Sequence, residues 1–118
     1  MKLQNLYNMQ VEFQKQVLEK QAKETGKPVI ALPQDDISWF SYHIQAMVEE
    51  LGEVMKADKR WKTHRNDRFE FDEKVDEIAD VFITAMNIAI FSGVSSDQLV
   101  NEIIAKIQEN TLKLNSKK

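Results

Sequence analysis

The sequence predicts an all-α fold, a four-helix bundle. Glycine and proline are scarce, three and two in 118 residues. No stretch alternates apolar and polar residues as a half-buried strand does. Apolar residues instead recur at three- and four-residue spacing along most of the chain, the period of an amphipathic helix. Helix one is expected from about Leu3 to Glu24, with Leu3, Leu6, Tyr7, Phe13 and Val17 on its apolar stripe. Gly26 and Pro28 stop it. Residues 26–34 read as an extended connector around Pro28 and Pro33. Asp35 or Asp36 caps helix two, which is expected to reach about Trp61. Its stripe is Ile37, Phe40, Ile44, Met47, Val48, Leu51, Val54 and Met55. A polar loop over residues 62–69 leads to helix three, from about Glu70 to Phe91, closed by Ser92-Gly93. Ser95 and Gln98 have capping-box spacing and open helix four, which carries Leu99, Val100, Ile103, Ile104, Ile107 and Leu114.

The length fits one domain, residues 1–118, without a linker, repeat or low-complexity tract. Cysteine is absent, which excludes disulfides, a thiol nucleophile and a zinc-thiolate site and suits a cytoplasmic location. The N-terminus is polar and has no signal-peptide core. The longest nearly apolar run, Val81 to Phe91, is too short for a bilayer, which needs roughly 20 residues. A net charge of −3 argues against a surface for polymeric nucleic acid.

Two acidic clusters stand out, Glu49-Glu50-Leu51-Gly52-Glu53 and Glu77-Ile78-Ala79-Asp80. Each puts two carboxylates three residues apart on one helix face. Gathered carboxylates repel, and a hard divalent cation with oxygen ligands is the simplest way to offset the charge. Mg²⁺, with Mn²⁺ as a substitute, in turn suggests a phosphate substrate. Beyond Asp80, helix three is apolar almost all round, which predicts burial on several sides. Yet Glu73, Glu77, Asp80, Thr84 and Asn87 fall in one sector at 100° per residue. A polar stripe walled by isoleucine and phenylalanine reads as one side of a pocket. Ala46 and Ala57 on helix two allow close approach beside Glu50 and Glu53.

Positive charge concentrates just past the first acidic cluster, at Lys56, Lys59, Arg60, Lys62, Arg65 and Arg68. A metal-bound triphosphate needs cations for the oxygens that the metal does not reach. Helix-dipole complementation accounts for Lys59 and Arg60 but not for the whole loop.

Together these residues resemble the all-α nucleoside triphosphate pyrophosphohydrolases: the MazG-like proteins, dCTP pyrophosphatases and dimeric dUTPases. The resemblance rests on Glu49-Glu50-x-x-Glu53, a gap, Glu77-x-x-Asp80, Trp61-Lys62, and Lys106-x-x-x-Asn110, and it covers roughly residues 36–114. It implies a bundle completed by oligomerisation and cleavage between α- and β-phosphates, giving a nucleoside monophosphate and pyrophosphate. It implies Glu50, Glu53, Glu77 and Asp80 as metal ligands, with Glu49 as the extra acid. We read Glu53 as the candidate general base. Lys62 and Lys106 are expected on the phosphates, with Arg60 or Arg65 assisting and Asn110 beside Lys106.

For the base, Asn87 offers both a donor and an acceptor, which suits uracil or cytosine. In dimeric dUTPases an asparagine on the corresponding helix serves uracil, helped by a glutamine on the first helix, so Gln10 and Gln14 are candidates here. Trp39 or Trp61 is a candidate for stacking on a base, against the plainer reading of core packing. His43 reads as packed or exposed near the site, and His64 as a phosphate neighbour. Neither forms the Glu-x-x-His motif of di-iron bundles. Met47, Met55 and Met86 read as core. Ile83, Ile88, Ile90 and Phe91 point away from Ile78 and Phe82, and some of them are expected to meet another subunit, in a homodimer or homotetramer. The rival to the enzyme is a non-catalytic helical interaction module whose acids are only surface.

Overall fold

A computed structural model describes residues 2–58 and 71–116. Among them it contains four helices and no strand: α1 (Leu3–Thr25), α2 (Ile37–Ala57), α3 (Phe71–Ile90) and α4 (Ser96–Ser116). None of these helices is long and apolar enough to cross a membrane. The expected loop cations Lys59, Arg60, Lys62, Arg65 and Arg68 lie outside the described residues, as do Trp61 and His64.

The helix ends follow local chemistry. Gly26 ends α1 in the left-handed region, at φ 73°, and its N–H reaches the Ala22 carbonyl at 2.8 Å. The Asp36 carboxylate caps α2 by accepting from the Trp39 N–H at 3.0 Å. Ser95 and Gln98 close a reciprocal capping box. The Ser95 N–H donates to Gln98 Oε1 at 2.9 Å and the Gln98 N–H to Ser95 Oγ at 3.2 Å. Helix two is shorter than expected. It ends at Ala57 because Asp58 turns extended, and the Asp58 carboxylate takes Lys74 Nζ at 2.9 Å.

That ion pair joins the end of α2 to the start of α3. At the other end the Asp36 N–H donates to the Phe91 carbonyl at 3.2 Å, and Asp35 bridges Ser92. The two helices are therefore antiparallel neighbours. Gly93 makes the turn after α3 possible. Its φ is 77°, and a Cβ there would meet the Asp35 backbone nitrogen at 3.3 Å. α1 packs on α3 and α4.

The core is Tyr7, Val11, Leu18, Met86, Ile90 and Phe91, backed by Ile30, Leu32, Trp39, Ala89 and Leu99. The Tyr7 hydroxyl donates to the Val94 carbonyl, which ties α1 to the start of α4. This arrangement corrects several expectations. The buried stripe of α1 is Tyr7, Val11, Gln14 and Leu18, whereas Leu3, Leu6 and Phe13 are exposed. Of the four candidates for a subunit contact, Ile90 and Phe91 are wholly buried within their own chain, Phe91 against Trp39 and His43, which leaves Ile83 and Ile88. Met86 is core as expected, but Met55 is exposed. Beyond Asp80, α3 buries Thr84, Met86, Asn87 and Ile90 and leaves Phe82 and Ile83 exposed, so the chain covers only part of the helix, as expected.

Candidate functional site

The polar stripe of α3 is turned toward α2 at its acidic end and toward α1 at its amide end. Glu77 and Asp80 are half-buried, and Thr84 and Asn87 are buried. Glu73, a turn earlier, is exposed. Thr84 turns its hydroxyl back onto the Val81 carbonyl at 2.8 Å, which removes it from the site.

At the acidic end, Glu50 of α2 meets Glu77 and Asp80 of α3. One carboxylate oxygen from each lies within 4.8 Å of the others. Partial loss of water and, after it, like charge push the carboxyl groups of Glu50 and Glu77 above the ordinary glutamate range. For each, desolvation is the largest cause, followed by Asp80 and then Glu53. Glu53 therefore stands close enough to be felt, but it is outside the trio. It is exposed and takes Lys56 Nζ at 3.4 Å. Glu49 is exposed. Of the four ligands that the resemblance implies, the fold gathers three.

Two turns along α3, the second cluster forms. Gln10 Nε2 donates to Asn87 Oδ1 at 2.8 Å, and Gln14 Nε2 donates to the same oxygen at 3.2 Å. The three amides named from the sequence thus form one network between α1 and α3, buried at Gln14 and Asn87 and half-buried at Gln10. With its oxygen occupied twice, Asn87 keeps its two amide hydrogens to offer.

The sequence did not settle His43, which is 5% exposed. Its ring stacks on Phe91 at 4.6 Å and beside Trp39 at 6.2 Å, and Tyr42 meets it edge-on at 5.0 Å. Its Nε2 is buried without a hydrogen-bond partner among the described residues. Burial pushes its pKa below the usual histidine value. The antiparallel register explains its level: seven residues back from Glu50 is His43, and seven on from Asp80 is Asn87. The aromatic run Trp39, Phe40, Tyr42 at the start of α2 was the available signal. Trp39 belongs to this aromatic cluster, 5.4 Å from Phe91, rather than to the amide network.

Lys106 and Asn110 lie on the exposed part of α4. The fold does not bring them into either cluster within one chain. No family model, curated protein or solved structure matches the chain.

Proposed function

We propose that the chain is a Mg²⁺-dependent nucleoside triphosphate pyrophosphohydrolase of the MazG-like type. Its substrate is a pyrimidine nucleotide such as dUTP or dCTP, and its products are the nucleoside monophosphate and pyrophosphate. The observation that carries this reading is the order of groups along one stripe of α3. Carboxylates from α2 and α3 gather at one end. An amide network gathers two turns away, about 10.5 Å along the helix. A nucleotide has the same polarity, with phosphates at one end and a hydrogen-bonding base at the other.

The donor set fits a hard divalent cation, since it offers only carboxylate oxygens, and repulsion among them is relieved by binding one. Glu50, Glu77 and Asp80 would hold Mg²⁺ or Mn²⁺, with Glu53 joining them or remaining free. The bound ion would neutralise phosphate charge and lower the pKa of a coordinated water. Glu53 is suited to take a proton from the attacking water, because it stands beside the trio without belonging to it. Glu49 is the reserve acid. Asn87, positioned by Gln10 and Gln14, presents N–H donors to a pyrimidine oxygen. Lys106, Asn110, Lys62, Arg60 and Arg65 complete the phosphate end, and the working unit is a homodimer or homotetramer.

A panel of nucleoside triphosphates, scored for pyrophosphate with and without Mg²⁺, tests the reading. Metal-dependent release, strongest for a pyrimidine and abolished in Asp80→Ala, is the expected result. No release from any triphosphate, or full activity in Asp80→Ala, would overturn it.

A further inference from the structure

The facing seams of α2 and α3 place one histidine where nothing completes it. On α2 the seam runs Trp39, His43, Ala46 and Glu50, spaced four, three and four apart. On α3 it runs Phe91, Asn87, Thr84 and Asp80, with the same spacing in reverse. That is the pattern of two packed helices. Trp39 meets Phe91 at 5.4 Å, and Glu50 meets Asp80 in the acidic trio, so the two seams face each other. His43 therefore stands between the aromatic end of the seam and its acidic middle, level with Asn87.

The imidazole is caged by the Phe91 and Trp39 ring faces and the Tyr42 ring edge. A buried polar atom without a partner costs stability, and Nε2 is one among the described residues. A phenyl ring would fill the same cage without that cost. Nor does the cage hold a counter-charge. α3 has no charged residue from Val81 to Phe91, and α2 has none from Ile37 to Val48 apart from His43 itself. The neighbouring core positions are Val11, Gln14 and Leu18 of α1, Ile30 and Leu32 of the connector, and Leu99 of α4, all uncharged. Tyr7 stays neutral, its hydroxyl pushed up to about 12 by burial. The flanking carboxylates are Asp36 and Glu50, each two turns away along α2, about 10.5 Å. Asp36 already accepts from the Trp39 N–H and the Gln34 amide. The stacked ring faces attract a cation, but a desolvated charge without a partner costs more than they return.

We propose that His43 is an acid-sensitive latch on the closed end of the α2–α3 pair. When the ring takes up its second proton, the imidazolium leaves the cage for water and Trp39 loses a stacking partner. The first two turns of α2 and the connector then part from the end of α3. Few other ties hold them there: the Asp36 N–H on the Phe91 carbonyl at 3.2 Å and the Asp35–Ser92 bridge. The Asp58–Lys74 pair keeps the far ends of the two helices together, so the opening is local. Burial holds the His43 pKa below the usual histidine value, in keeping with a cage that rejects the charged ring. As the latch opens, α2 withdraws from Asn87. The latch is independent of whether the polar stripe binds a nucleotide.

Hydrogen exchange on the metal-free chain, corrected for the intrinsic pH dependence of amide exchange, tests the latch. From pH 7 to pH 5, protection should fall at Trp39 to Ile44 and stay nearly constant along Val11 to Leu18. The fall approaches about tenfold for each unit by which the released imidazole titrates above the caged one. His43→Phe should abolish it. Glu50→Gln combined with Glu77→Gln, which silences the titrating carboxylates, should leave it in place. His64→Gln makes His43 the only histidine, so ring NMR reads its titration directly without altering the cage. Its midpoint should coincide with the change in exchange. Unchanged protection in the wild type, or the same fall in His43→Phe, would overturn the proposal. So would a fall spread equally over α1, or a ring titration that does not coincide with the exchange.

Discussion

Gln10 of α1 donates its side-chain amide to Asn87 of α3 across 2.8 Å, joining residues 77 positions apart. A buried amide left without its partner costs about 1–3 kcal/mol, so the pair stabilises the fold as well as the site. Asn87→Leu strands two glutamine donors. Urea denaturation should show a loss of about 1–3 kcal/mol, and Gln10→Ala combined with Asn87→Ala should cost less than the sum of the two. Asn87→Asp keeps the acceptor but loses the donors. It should fold, and it should raise KM for the preferred pyrimidine triphosphate more than for a purine. Equal KM changes for both would remove Asn87 from base selection.

The acidic trio limits stability where it is fully charged. Glu50 and Glu77 titrate above the ordinary glutamate range, so the folded state binds their protons more tightly than the unfolded chain does. That contribution is present below the unfolded pKa and is lost as pH rises through the raised folded values. Metal-free Glu77→Gln should therefore melt higher than the wild type at pH 7, with the advantage shrinking toward pH 4. Mg²⁺ should raise the wild-type Tm and leave Glu77→Gln less affected. A wild type whose Tm ignores Mg²⁺ at millimolar concentration would contradict this.

His43 has the opposite sign. Its folded pKa is lowered by burial, so the unfolded chain takes the proton first as pH falls. Its contribution is complete above the unfolded value near 6.5 and declines below it. His43→Phe keeps the stacked ring between Trp39 and Phe91 and removes the titration. Between pH 7 and pH 5 the stability difference, variant minus wild type, should move in favour of the variant. A constant difference across that range would place the histidine's titration elsewhere.

The Asp58–Lys74 pair holds the far end of the α2–α3 hairpin, at 2.9 Å and partly shielded. Asp58→Ala also removes the residue at the C-terminus of α2. A loss on the order of 1 kcal/mol is expected, reduced by added salt. Hydrogen exchange should quicken most in the last turn of α2, around Val54 to Ala57, and little near Asn87.

Local chemistry determined the four helices, and it was legible in the chain. Asp36 and the Ser95–Gln98 box start helices, and Gly26 and Gly93 end or turn them, because each satisfies backbone groups within a few residues. The polar stripe from Glu77 to Asn87 was equally readable, since helical spacing alone fixes which side chains share a face. The tertiary structure decided which face meets which neighbour. Periodicity did not distinguish the stripe of Tyr7, Val11 and Leu18, which is buried, from Leu3, Leu6 and Phe13, which are not. Nor did it separate Glu50, drawn to Glu77 and Asp80, from Glu53 one turn away. The register of α2 against α3 fixed both that trio and the burial of His43. Register depends on contacts between residues far apart in sequence, such as Asp36 with Phe91 and Asp58 with Lys74, and no local pattern encodes them.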